Sequence, residues 1–147
     1  MTDLIMRPRR LRTTAAIRDL VAESRLDAKR LVQPHFVVPG ENVSHPIDAM
    51  PGIDHPSVDR LLETVAGDFD LGIRTVLIFG VPDESEKSPD GRAASADGNR
   101  VATAVAALKE RFGDELTVIT DVCLCAYTDH GHCGLIKNGR IDNDSSL

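Results

Sequence analysis

"RTVLIFGV", Arg74 to Val81, is the stretch on which the fold of this chain turns. It is a short and nearly continuous apolar run, the pattern of a strand buried on both faces rather than one with a wet side. Such strands sit in parallel sheets, and parallel neighbours are joined by long crossovers, usually helical. The flanks of the run therefore decide the architecture.

Upstream, Ser57 is placed to cap a helix in which Val58, Leu61, Leu62, Val65 and Phe69 fall on one face at the helical period, with Gly72 as its stop. Downstream, a polar stretch from Asp83 to Gly98 reads as a long surface loop. It leads into a second helix in which Val101, Ala104, Val105, Leu108 and Phe112 repeat the same spacing before Gly113. Beyond these helices lie two more strand candidates. One is "LVQPHFVVPG", centred on Phe36 to Val38, where Pro34 requires a strand start or an edge. The other is "LTVITDV", Leu116 to Val122. The order βαβαβ predicts an α/β fold with a parallel sheet, either open or part of a barrel.

The remaining segments are accessory. "TTAAIRDLVAES" predicts a short helix capped by Thr13 or Thr14, and "HPIDAMPGIDHP" reads as a loop. In "LIKNGRIDND", Asn138-Gly139 between short alternating runs predicts a β-hairpin with a type I′ turn.

A chain of 147 residues accommodates one domain. A complete eight-stranded α/β barrel needs about 250. Apolar residues at 41% and charged residues at 27% place it among globular proteins. The absence of Trp and the single Tyr argue against a base-stacking surface. The net charge of −6 argues against nucleic acid as the main partner. Charge is nevertheless uneven: residues 1–30 hold eight Lys/Arg and four Asp/Glu, including "RPRRLR", Arg7 to Arg12. That basic head reads as an exposed arm, with a nucleic-acid patch or targeting signal as the alternative. No apolar run reaches the ~20 residues of a membrane span, and none follows the basic head as a signal peptide would, so a cytoplasmic protein without a membrane partner is expected.

All three cysteines fall in "DVCLCAYTDHGHCG", Asp121 to Gly134, together with two of the five histidines. An odd, clustered set of thiols suits metal binding or free thiols better than a disulfide framework. If the extended conformation continues, Asp121, Cys123 and Cys125 share one side, and Gly131 lets Cys133 return to them. The group would then stand at the carboxyl end of a parallel strand, where α/β proteins hold ligands. Three thiolates suit Zn²⁺ and leave a fourth position for water or substrate; His130 and His132 are the local candidates to close it. The competing reading makes the cysteines small buried hydrophobes and the histidines loop hydrogen-bonders.

This segment resembles the zinc-binding segment of the δ-aminolevulinic acid dehydratases, or porphobilinogen synthases, differing at Ala126, where Pro is usual, and at Asp129, often Ser. The resemblance extends through "RPRRLR", "FVVPG", "MPGI", "DLGIRTVLIFGVP", "ITDVCLC" and "NGRIDNDSSL", with a departure at "DGRAAS", where the family has a Gly-Ser pair. It implies condensation of two 5-aminolevulinate molecules to porphobilinogen in tetrapyrrole and heme biosynthesis. Zn²⁺ would be held by Cys123, Cys125 and Cys133, and Asp121 would line the active site. It also implies a (β/α)8 TIM barrel with an N-terminal arm in a homo-octamer.

On that reading residues 1–30 are the arm with its short helix, and 31–147 are the first three or so βα units of the barrel, with a hairpin after the third strand. Family members run to more than twice this length and use two Schiff-base lysines from later strands. Lys29, Lys87, Lys109 and Lys137 all lie in predicted polar loops, turns or helix surfaces, so none is assigned that role. The expectation is a chain inactive by itself, the alternative being a non-catalytic fragment that binds zinc or joins an oligomer.

Overall fold

A computed structural model describes residues 6–146; the first five residues of the expected arm, and Leu147, lie outside the described residues. Strand β1 (Gln33–Val37) leads into a small antiparallel pair, β2 (Ser44–Pro46) and β3 (Asp54–Pro56). Helix α2 (Val58–Asp70), strand β4 (Thr75–Gly80), helix α3 (Arg100–Phe112) and strand β5 (Thr117–Thr120) follow. Helix α1 (Ala15–Leu20) precedes β1, and the hairpin β6 (Ile136–Lys137) and β7 (Arg140–Ile141) comes last. The sheet order is β1-β4-β5 with both pairings parallel, as the βαβαβ pattern predicts.

One face of the sheet is covered by both long helices. Val37, Val76 and Ile78 meet Leu61 and Val65 of α2, Ala104 and Leu108 of α3, and Leu116, all essentially inaccessible to water. Phe69 and Phe112 join the helices across 5.3 Å between ring centroids, and the Arg74 guanidinium lies 3.5 Å over the Phe69 ring. His35, on the same side of β1 as Val37, reaches α2 through Nε2, 2.7 Å from Asp68 Oδ2. The buried polar group is thus matched to a partner.

The second face is different. Leu77 and Phe79 of β4 are only half-buried, and Ile119 on β5 is exposed. Among the described residues helices cover one side of β4 only, so a run patterned for burial on both faces leaves one apolar face uncovered, as expected of the opening units of a barrel taken alone. Phe36 stands beside Phe79 in register, 5.8 Å between centroids, and meets His55 edge-on at 5.1 Å. These rings form a partial second layer at the carboxyl ends of β1 and β4.

Local signals read as expected at most element ends. Thr14 caps α1 by accepting the Ile17 N–H; at α3 the cap is Asn99, a residue not among the expected caps, which accepts the N–H of Ala102. At the last hairpin Asn138 and Gly139 both have positive φ, as a type I′ turn requires. Two expectations need correction. The "HPIDAMPGIDHP" segment is not wholly loop, because Ser44–Pro46 and Asp54–Pro56 pair across it. Ser57 stands at the N-cap of α2, but its buried hydroxyl accepts the Val43 N–H at 2.9 Å and donates to Asp59 Oδ1 at 2.6 Å. It ties the β2 approach to α2 instead of capping the helix, and that bond holds the Asp59 carboxyl below its ordinary pKa.

The β4–α3 connection is also ordered. Asp83 and Glu86 form a capping box, and Glu86 Oε2 accepts the Asp83 N–H at 2.8 Å and Arg100 Nη2 at 2.5 Å. The Asp83 N–H foremost, then Arg100, lowers the Glu86 pKa from its ordinary 4.5.

Leu108 fills the centre of the only core shared by α2, α3 and the sheet among the described residues. Leu108→Ala is expected to lower the unfolding free energy by about 2–5 kcal/mol, measured by urea denaturation. The Glu86 carboxylate contributes stability that is complete above 4.5 and is lost as pH falls through its lower folded-state pKa. The melting temperature of Glu86→Gln should therefore fall less steeply with acidification through that window than that of the parent chain. Parallel pH profiles would contradict the assignment.

Candidate metal centre at the strand ends

Strand β5 ends at Thr120, so Asp121, Cys123 and Cys125 are not gathered by strand alternation, contrary to the simplest reading of the sequence. The physical reason is local. Asp121 N–H still reaches the Ile78 carbonyl of β4 at 3.4 Å, but its Oδ1 accepts the Cys123 N–H at 3.2 Å. A carboxylate bonded two residues ahead competes with the sheet ladder and turns the chain out of it.

The thiols meet nonetheless. The Sγ atoms of Cys123, Cys125 and Cys133 all lie within 4.8 Å of one another, with Cys123 and Cys133 3.4 Å apart. The loop backbone points at them: Leu124 N–H donates to Cys133 Sγ at 2.9 Å, and Cys125 N–H to Cys123 Sγ at 3.4 Å. The Leu124 donor, above all, lowers the Cys133 pKa. Hydrogen bonding with Cys123, then Cys133, pushes the Cys125 thiol up to about 11. The two shifts have opposite signs because three crowded sulfurs cannot all carry charge unassisted; one is favoured as thiolate and its neighbour held as thiol. A divalent cation removes that conflict, and three sulfurs this close fit about 2.3 Å bonds to one ion. The donor set is soft, as Zn²⁺ prefers among common biological cations.

Neither histidine joins the cluster. His130 Nε2 lies 3.1 Å from the Pro89 carbonyl, its Nδ1 accepts the His132 N–H at 3.2 Å, and the two rings stack with centroids 6.0 Å apart. His130 therefore ties the cysteine loop to the β4–α3 connection. Thr128, almost fully buried, adds to the same work: its hydroxyl lies 3.0 Å from the His132 carbonyl and 3.4 Å from that of Cys125.

Asp121 and Cys123 both line a cavity of about 290 Å³ with Phe36, Phe79, Lys87 and Tyr127. It opens at the carboxyl ends of the parallel strands, on the sparsely covered face of the sheet. Lys87 is less solvated than its sequence context implies, with 26% of its side chain exposed, and its Nζ is held 2.6 Å from Glu84 Oε1. The other lysines are remote from the cavity: Lys109 donates to the carbonyls of Gly113 and Leu116, Lys137 lies 3.8 Å from Asp142, and Lys29 is exposed in a 3-10 turn. Sequence reasoning passed over Tyr127 and Gly80. The available signals were that Tyr127 is the one tyrosine of the chain, two residues past Cys125, and that Gly80 interrupts an apolar run.

Comparison with known proteins agrees with this geometry. The family model for delta-aminolevulinic acid dehydratase matches residues 5–147. A delta-aminolevulinic acid dehydratase of Bacillus subtilis is 44% identical over 147 residues, covering all of this chain and 44% of that protein. One of Halalkalibacterium halodurans is 46% identical over 141 residues, 96% of this chain and 42% of its own length. Among solved structures, the delta-aminolevulinic acid dehydratase of Toxoplasma gondii in complex with its reaction product porphobilinogen superposes with a TM-score of 0.91 at 33% identity, over 99% of this chain and 42% of that one. The chain thus spans less than half the length of these relatives. Matched along essentially its whole length in sequence and in backbone, the chain belongs to the delta-aminolevulinic acid dehydratase family.

Proposed function

We propose that this chain carries the metal-binding part of a porphobilinogen synthase active site, for the condensation of two 5-aminolevulinate molecules to porphobilinogen with loss of two waters. The observation that carries the reading is the convergence of Cys123, Cys125 and Cys133 beside Asp121 at the carboxyl ends of a parallel sheet, in a chain of this family. Residues 31–147 are then the opening βα units of a (β/α)8 barrel, and 1–30 are an arm that packs on a neighbouring subunit of a cytoplasmic homo-octamer. In favour of the arm, Leu11, Leu20, Val21 and Leu26 are all exposed in that stretch. Among the described residues, no helix is long and apolar enough to cross a membrane.

The three thiolates would hold Zn²⁺, which supplies a Lewis acid with a fourth position open to water or substrate. The chain's own residues have simpler tasks. Asp121 keeps its side chain exposed at the cavity while Oδ1 is fixed by the Cys123 N–H, so the carboxylate can orient a substrate amine or hold a proton. Phe36 and Phe79 wall the cavity with apolar surface that keeps water from the reacting carbonyl. Schiff-base formation needs an unprotonated amine in a desolvated pocket. Of the four lysines, only Lys87 borders the cavity, and Glu84 occupies its ammonium. The lysine half of the reaction is assigned to sequence beyond these residues. The second reading, a non-catalytic fragment that binds zinc or joins an assembly, is favoured by the same disposition of lysines.

Purified chain should take up one Zn²⁺, and Cys123→Ala, Cys125→Ala and Cys133→Ala should each weaken it at least about 100-fold in a competition titration with a chromogenic chelator, since each removes a ligand. Retention of parental affinity in any of the three would overturn the ligand set. Incubated with 5-aminolevulinate and Zn²⁺, the 147-residue chain is expected to form no porphobilinogen, whereas a polypeptide continuing into lysine-bearing strands should form it and lose it on Asp121→Ala. Turnover by the 147-residue chain would refute the division of labour.

A further inference from the structure

Gly80 closes β4, and its missing side chain is filled by another residue. A Cβ added there would stand 2.1 Å from the Tyr127 hydroxyl oxygen, 2.7 Å from Val101 Cγ2 and 3.3 Å from Tyr127 Cζ. The phenol therefore lies flush against bare backbone at the strand end. Tyr127 is 7% exposed, and its ring is seated against Gly80 by close packing. A second glycine completes the seat: at Gly91 an added Cβ would meet Thr128 Cγ2 at 3.3 Å and Tyr127 Cβ at 3.6 Å.

The seated residue belongs to the cysteine loop. Tyr127 N–H donates to the Leu124 carbonyl at 2.9 Å, closing the turn that contains Cys125, and the Tyr127 carbonyl accepts the Ser88 N–H at 3.1 Å. Ser88 and Thr128 form an isolated parallel bridge beside it. Leu124, at the other end of that turn, is the residue whose N–H points at Cys133 Sγ. The position of the phenol on Gly80 is thereby transmitted, through one tight turn, to all three sulfurs. The thiols themselves are exposed or half-exposed and are not members of the helix-covered core cluster. Without an anchor, the conformational freedom of a long loop would oppose their convergence.

We propose that Tyr127, docked on Gly80, is the positioning residue of the metal centre: the pair fixes the loop so that Cys123, Cys125 and Cys133 are assembled before the ion arrives. This rests on the metal reading given above. Residues that orient metal ligands without touching the ion typically change affinity about 10–100-fold.

Zinc affinity and the sulfur-to-cobalt charge-transfer bands of the Co²⁺ form test the pair, with far-UV circular dichroism to monitor the sheet. Gly80→Ala should weaken Zn²⁺ binding about 10–100-fold. Adding Tyr127→Phe should restore part of the affinity, because the hydroxyl at 2.1 Å is removed and the ring carbon at 3.3 Å can give way, while the Val101 Cγ2 contact at 2.7 Å remains. Tyr127→Phe alone should bind as the parent does. If Gly80→Ala binds as tightly as the parent, or if Tyr127→Phe fails to rescue it, the inference is wrong; the second result would point to Val101 instead. Should Gly80→Ala not fold, Tyr127→Leu, which leaves the seat empty, carries the test: loss of the charge-transfer bands with the far-UV signal kept supports the pair, and parental bands overturn it. A parent chain that binds no metal would instead sink the metal reading, and the inference with it.

Discussion

Val76 and Ile78 are sealed beneath α2 and α3, and the rest of the molecule is arranged around that burial. A strand covered by helices on one face must keep its backbone groups paired along both edges, since an unpaired amide or carbonyl there costs as much as a lost hydrogen bond. β1 and β5 supply the pairing, both parallel to β4. Parallel pairing in turn requires the two helical crossovers whose apolar stripes do the covering. Helices, sheet order and core are therefore one solution, and the common direction of the strands places their carboxyl ends, Val37, Gly80 and Thr120, at one rim.

At that rim, regular pairing gives way to chemistry-bearing loop. The ladder ends at Thr120 because Asp121 bonds its own loop, and the cysteine segment then draws its structure from the β4–α3 connection instead of the sheet. Ser88, Pro89 and Gly91 meet Tyr127, Thr128, Asp129 and His130 there. Two loops that would each be costly to order alone order each other, and the thiols sit at the outer side of the joined pair. The uncovered face of the sheet, with Leu77, Phe79 and Phe36, continues down from the same rim, so the cavity beside Asp121 has apolar walls on a structure otherwise rich in surface charge.

The fold is largely legible in the sequence, because the residues that decide it repeat at the helical period or run together as apolar strands. Val58 to Phe69 and Val101 to Phe112 could hardly do anything but cover a sheet. What misled was chemistry whose partner is distant in the chain. Ser57 looks like a helix cap, yet its hydroxyl serves Val43; Pro46 and Pro56 look like loop markers, yet they are the last residues of two short antiparallel strands that pair. Lys87 reads as a solvated loop lysine, and only the folded chain puts it at the cavity beside Asp121. The thiols were recognised as a group from their spacing, although the strand alternation first invoked to unite them stops short of all three.

By itself the sequence determined the parallel α/β order, the two covering helices, the type I′ hairpin and the membership of three cysteines in one cluster, since each of these follows from local periodicity, a turn residue or proximity along the chain. Only the tertiary structure decided that the histidines stand apart from the sulfurs, that Asp121 shares a cavity with Phe36 and Phe79, and that Tyr127 is seated on Gly80. Those relations join segments more than forty residues apart. No local propensity encodes them; they exist because β4 is buried and brings its carboxyl end to the place where the cysteine loop must turn.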